Sequence, residues 1–173
     1  MNWKEIPTEV FSILRGGTVI PAHPLALDAQ RKLDLRRLRA LTRYYLDAGS
    51  GGLAVGVHST QFAIREAGLY EPVLRTAIEE ARSWAKRPVL MIGGLAGRTA
   101  QAKQEAAIAR GLGYHAGMLS LAAMKGASVD ELIEHCTAVA REVPLIGFYL
   151  QEAVGGLVLP AAFWRRFAAI ENV

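Results

Sequence analysis

The chain has 173 residues, of which 51% are apolar and 21% charged, and carries a formal net charge of +4. That balance belongs to a globular protein: it is too apolar for intrinsic disorder, and no apolar run approaches the roughly 20 residues of a membrane helix, so no membrane partner is expected. The opening Met1–Pro7 has no apolar core of a secretory signal, which makes a cytoplasmic location the expectation. The single cysteine, Cys136, excludes an intrachain disulfide framework and a Cys-rich zinc site, and its place among Leu132, Ile133 and Val139 at helical spacing reads as a buried structural thiol. No histidine pair has HxH or HExxH spacing, so neither a protein-held metal nor another cofactor is expected. Arg31, Lys32, Arg36, Arg37, Arg39 and Arg43 crowd one segment, but they fit the solvated face of an amphipathic helix and lack interleaved aromatics. No nucleic-acid partner is expected.

In chain order, Pro7 to Leu14 reads as a short helix stopped by Gly16-Gly17 and covering one end of a sheet. Five apolar runs without alternation follow as strands covered on both faces: Thr18 to Ala22, Leu53 to Val57, Pro88 to Ile92, His115 to Leu121 and Pro144 to Tyr149. Between the first two, Leu35, Leu38, Leu41 and Tyr45 form a helical stripe that Asp34 caps and Gly49 ends in a left-handed conformation. A second helix follows Pro72, with Val73, Leu74, Ala77, Ile78, Ala81 and Trp84 as its apolar face. Thr99 to Gly111 makes a third, closed by Gly111 or Gly113. Ser128-Val129-Asp130-Glu131 has the pattern of a capping box and opens a fourth. A fifth begins near Pro160 and carries Phe163, Trp164 and Phe167.

Strand–helix alternation of this kind predicts parallel βα units, five of them after the short amino-terminal helix, within one domain spanning 1–173. Two architectures accommodate five units: an open doubly wound sheet, or an incomplete (β/α)8 TIM barrel. The open sheet usually places a glycine-rich phosphate loop after its first strand, where this chain reads Pro21-Ala22-His23-Pro24-Leu25. Gly93-Gly94 is read as a tight strand-to-helix turn. A complete barrel typically takes about 250 residues, so on that reading the chain holds strands 1 to 5.

The order of these segments resembles the dihydrodipicolinate synthase and N-acetylneuraminate lyase family from about Thr18 to Val173. Pro21-Ala22-His23-Pro24-Leu25 is similar to the segment ending that family's first strand, and Asp34 through Ala48-Gly49-Ser50-Gly51-Gly52-Leu53-Ala54-Val55-Gly56 to its next helix and strand. Met91-Ile92-Gly93-Gly94, Gly113 through Leu121, and Pro144-Leu145-Ile146-Gly147-Phe148-Tyr149 resemble later strands. The resemblance implies a lyase or aldolase that holds a small 2-oxo acid such as pyruvate as a Schiff base on a lysine, commonly as a homo-oligomer. A Gly-Thr-Thr-Gly-Glu turn holds the carboxylate in that family. Here the chain reads Gly56-Val57-His58-Ser59-Thr60-Gln61, and two registers stay open: Val57 and His58 on the threonines, or Ser59 and Thr60.

Tyr149 falls on the family's catalytic tyrosine, which relays protons, and Gly156 on the glycine of the following turn. Met124 stands where the family has a relay tyrosine, and Val154 where synthases keep an arginine, which makes aspartate semialdehyde an unexpected second substrate. The family's Schiff-base lysine stands on a sixth strand, past Val173. Lys4, Lys32, Lys86, Lys103 and Lys125 are the lysines present, and an imine-forming amine needs desolvation that loop and helix positions do not give. The expected substrate-binding residues are therefore His58, Ser59, Thr60 and Gly156, with Tyr149 catalytic. His23 is a further candidate at a strand end, and His115 and His135 read as structural. The competing reading is a non-catalytic barrel-like protein that binds a small carboxylate or serves in an assembly.

Overall fold

The computed structural model describes residues 1–173 except the side chain of Val154, so the expectation attached to that side chain lies outside the described residues. Helix α1 spans Thr8–Gly16, and then come α2 (Leu35–Asp47), β1 (Gly52–Val55), α3 (Tyr70–Trp84), β2 (Leu90–Leu95), α4 (Thr99–Leu112), β3 (Ala116–Leu119), α5 (Val129–Ala140) and α6 (Ala161–Phe167). Local chemistry accounts for several boundaries. The Asp34 side chain accepts from the Arg37 amide at the start of α2, Ser128 and Glu131 form a reciprocal capping box on α5, and Gly113, with φ of +88°, closes α4.

The three strands are parallel in the order β1-β2-β3, with Leu53 opposite Met91 and Gly93 opposite Gly117. The two remaining predicted strands flank them without becoming strands. Thr18 to Ala22 meets β1 at one parallel bridge, Ala22 with Ala54, and Pro144 to Tyr149 meets β3 at another, Gly117 with Leu145. Hydrogen bonds of the parallel pattern secure both: Ala54 N to Pro21 O and His23 N to Ala54 O on one side, Gly117 N to Pro144 O and Ile146 N to Gly117 O on the other. Each segment meets a strand on one side only; on the far side of the second, the Leu145 amide donates to the Asn172 carbonyl. Gly93-Gly94 is not a turn. Both lie within β2, because Gly93 faces Ala109 and Tyr114, and a Cβ on Gly94 would fall on the Gly56 carbonyl and the Val57 amide.

The two faces of this sheet are covered differently. Leu53, Val55, Met91, Leu95, Leu119 and Leu145 point toward α2–α6, which pack side by side in chain order and build the larger core. Ala54, Leu90, Ile92, Met118 and Ile146 point the other way, where α1 and the amino-terminal turn cover them with Ile6, Val10, Phe11 and Trp3. An open doubly wound sheet carries helices on both faces. One layer of successive helices outside, and a single short helix inside, is the arrangement of a partial (β/α)8 barrel. Among the described residues no helix is long and apolar enough to cross a membrane.

The arginine-rich segment is partly consumed in packing α2 onto α3: Arg39 and Arg43 both reach the buried Glu80, and Arg43 stacks over Trp84 at 4.4 Å from the ring centroid. Cys136 is buried, and burial pushes its thiol up to about 12, so it stays protonated.

Candidate functional site

The segment after β1 and the end of the Pro144–Tyr149 run both lie at the carboxyl end of the sheet, where barrel enzymes place their chemistry. Gly56, with φ of +84°, turns the chain out of β1 into a single 3-10 turn, His58–Thr60. Thr60 is fully buried; its hydroxyl accepts from the Gly56 amide at 2.9 Å and donates to the His23 carbonyl at 2.6 Å. Its one proton is thereby committed inside the protein, and the residue staples the turn to the first edge segment. The Leu25 amide donates to the Ser59 carbonyl in the same seam. His58 is exposed and Ser59 half-buried, which leaves these two side chains of the turn open to a ligand.

His23 is fully buried, with Nδ1 2.9 Å from the Pro24 carbonyl and Nε2 2.9 Å from the Thr42 hydroxyl. Burial lowers its pKa and keeps the ring neutral. With Nδ1–H donating to Pro24, Nε2 accepts from Thr42, which ties the first segment to α2. Tyr149 is 59% exposed at the end of the opposite edge segment, and no hydrogen bond connects it to the His58–Thr60 turn. Gly156 donates its amide to the Gln151 carbonyl at 3.0 Å, and a Cβ there would fall on the Leu150 carbonyl, so the turn admits no side chain at that position. Met124 packs against the outer core. Among the described residues no group of three His, Cys, Asp or Glu is placed to hold a metal ion.

A buried ion pair that the sequence did not single out holds the floor of this region. Arg65 Nε lies 2.9 and 3.1 Å from the two Glu105 oxygens and its Nη2 lies 2.8 Å from Oε2; the two side chains are 10% and 7% exposed. The same guanidinium donates to the carbonyls of Gly56 and Gly94 and lies over the rings of Tyr70 and Phe62 at 4.8 and 5.5 Å. Tyr70 adds a hydrogen bond to Gly94 O at 2.9 Å, its phenol held protonated by burial. Glu105 also accepts from the Ala96 amide and the Gln101 side chain. The pair thus pins Gly56, just past β1, and Gly94 near the end of β2 and, with them, the turn carrying His58 and Ser59. One signal was present in the sequence: Glu105 sits in phase with Ala102, Ala106 and Ala109 on the buried stripe of α4, a position a carboxylate holds only when paired.

Between the stapled Thr60 and the pinned Arg65, Gln61 adopts φ of +65° and ψ of 125° while its side chain is exposed. Such backbone costs a non-glycine residue about 1–3 kcal/mol. Replacing Gln61 by glycine is therefore expected to stabilise the chain by about 1 kcal/mol net of glycine's extra unfolded-state entropy, read as a higher urea midpoint at unchanged slope. A lower midpoint would show that the Gln61 side chain, not strain, dominates there.

No family model matches the chain, and no curated protein matches it by sequence. Solved structures do. Dihydrodipicolinate synthase from Aquifex aeolicus superposes with a TM-score of 0.78 at 20% identity over 90% of this chain and 53% of its own. N-acetylneuraminate lyase from Fusobacterium nucleatum gives 0.78 at 17% over 90% and 53%. A catalytic lysine mutant of the Ruminococcus gnavus sialic acid aldolase gives 0.78 at 18% over 93% and 52%. The chain spans about half the length of the structures it matches. Its fold, a partial (β/α)8 barrel, is that of the amino-terminal part of dihydrodipicolinate synthase and N-acetylneuraminate lyase.

Proposed function

We propose that the chain supplies the carboxylate-binding half of a lyase or aldolase acting on a small 2-oxo acid such as pyruvate, with the Schiff-base lysine contributed by sequence outside these 173 residues. The observation that carries this reading is the pinned turn after β1, which offers His58 and Ser59 to a ligand at the catalytic end of a fold shared with such enzymes. In this mechanism the His58 ring, the Ser59 hydroxyl and the neighbouring amides hold the 2-oxo acid carboxylate. Thr60 fixes the shape of the turn, and the tight Gly156 turn lets backbone approach the bound acid. The exposed Tyr149 phenol passes protons to and from the carbinolamine that precedes the imine. None of the five lysines lies on a described strand and all five are exposed, so none has the desolvated strand position inside a barrel that imine formation favours. The working protein is a homo-oligomer in the cytoplasm.

Incubation with pyruvate and borohydride tests this by mass. The 173-residue chain is expected to stay unmodified, and a polypeptide extended through three further βα units to gain one reduced pyruvate adduct on a lysine after Val173. Failure of the extended polypeptide to label would sink the lyase reading. The second reading, a non-catalytic carboxylate-binding protein, is favoured by Met124, a half-buried apolar side chain against the core where the family's relay needs a phenol. It predicts saturable pyruvate binding by the extended protein with no adduct.

A further inference from the structure

At the other end of the sheet, where the chain enters β2 and β3, lies a cleft of about 220 Å³ bordered by Val10, Val89, Met91, Arg82, Arg87 and His115, with no carboxylate among its lining residues. Arg82 stands in the last turn of α3 with its guanidinium over Gly113 and forms no ion pair among the described residues. Arg87 is fixed through one nitrogen, Nη2, which donates to the Leu46 and Ser50 carbonyls at 2.8 Å each. His115 accepts the Met91 amide on Nδ1 at 3.0 Å, so the neutral ring carries its proton on Nε2. The polar side chains that line the cleft are thus donors, with no carboxylate beside them.

We propose that this cleft binds a phosphate group, held by the Arg82 and Arg87 guanidiniums and by the Nε2–H of His115. The donors arrive from three places, the end of α3, the loop into β2 and the residue before β3, which suits a tetrahedral oxyanion; a carboxylate is satisfied by one bidentate guanidinium. Val10, Val89 and Met91 wall one side, and the dry wall strengthens the interaction with charge. The volume falls below the roughly 300–1,000 Å³ of sites that enclose whole small molecules, so inorganic phosphate or the head of a phosphate monoester fits, the rest of a larger ligand staying outside. Val10 belongs to α1, so an occupied cleft fastens that helix to the sheet. This site is independent of the chemistry proposed at the strands' carboxyl ends.

Arg82 also offsets the α3 dipole, a role lysine fills as well. The test therefore uses both Arg82→Gln and Arg82→Lys. Thermal unfolding of the 173-residue chain is followed in a phosphate-free buffer at pH 7 with inorganic phosphate, chloride or acetate added at matched ionic strength. A saturable rise in Tm with phosphate alone is expected, with apparent Kd weakened about tenfold or more in Arg82→Gln and several-fold in Arg82→Lys. In NMR titrations of the unaltered chain, saturating phosphate should raise the His115 ring pKa, and in Arg82→Gln it should not. An equal Tm rise in chloride, an equal rise in acetate, or a phosphate response that survives Arg82→Gln would overturn the proposal.

Discussion

Replacing Glu105 by alanine is expected to lower folding free energy by about 3–5 kcal/mol, because it leaves the Arg65 guanidinium charged and buried without its counter-ion. That is a large part of the roughly 5–15 kcal/mol that hold a domain folded. The loss extends past the ion pair: the Ala96 amide and the Gln101 side chain lose their acceptor as well. The double variant Arg65→Met, Glu105→Leu removes both charges and should recover part of the loss. Recovery stays incomplete because the Ala96 amide and the Gln101 side chain still lack their acceptor and Gly56 O loses its guanidinium donor, whereas Gly94 O keeps the Tyr70 hydroxyl. Urea unfolding of Arg65→Met, Glu105→Leu and the double variant closes the cycle. A Glu105→Ala cost under about 1 kcal/mol would mean that the network is solvated and does not pin the strand ends. If it does pin them, the single variants should also loosen the turn bearing His58 and Ser59, since Gly56 begins that turn and is one of the carbonyls Arg65 holds.

What could be read from the sequence was what is decided within a few residues. The Asp34 cap, the Ser128–Glu131 box, the left-handed Gly49 and Gly113, and the helical stripes all appear near their expected places because each is set by backbone donors and side chains three or four residues apart. The parallel order followed from the strand–helix alternation. The edges of the sheet did not. Thr18 to Ala22 and Pro144 to Tyr149 have strand composition, yet each pairs on one side through a single bridge, and no local pattern says which runs lie at an edge. Gly93-Gly94 looked like a turn because two glycines usually are one; their need is for close packing against Ala109, Tyr114 and Gly56, residues distant in sequence. The site was legible in the same uneven way. His58 was a candidate by its place after a strand, and Ser59 and Thr60 by the family resemblance, whereas Arg65 and Glu105, separated by 40 positions, meet only when β1 and β2 are side by side.

Acidification from pH 7 toward 5 is expected to destabilise the chain steeply, before the carboxylates titrate. Three histidines have lowered pKa values, each chiefly through burial. Each resists a proton for its own reason as well. In His115, Nδ1 already accepts the Met91 amide and Arg82 adds a like charge. In His135, Nδ1 meets the Thr99 hydroxyl, and the buried Nε2 has no partner to receive a new N–H. His23 is enclosed between Pro24 and Thr42. The unfolded chain takes up protons near the ordinary histidine value of about 6.5 and the folded chain only below it, so stability is complete above about pH 6.5 and is lost as pH falls through the window down to the folded values. Each group contributes a slope of at most about 1.4 kcal/mol per pH unit, and the three together about 4. Asp34 and Glu131, whose carboxyls are lowered by their cap hydrogen bonds, add to the loss only at more acid pH. Urea midpoints measured from pH 7.5 to 5 in a phosphate-free buffer give the slope directly. His115→Asn keeps an acceptor for the Met91 amide and removes one titration, so it should flatten the slope by about a third, the share of one histidine in three. A midpoint independent of pH over that range would mean that these rings take up protons as readily folded as unfolded. Phosphate supplies a further check, since an anion beside His115 favours its protonated ring and should flatten the same slope in the parent chain but not in His115→Asn.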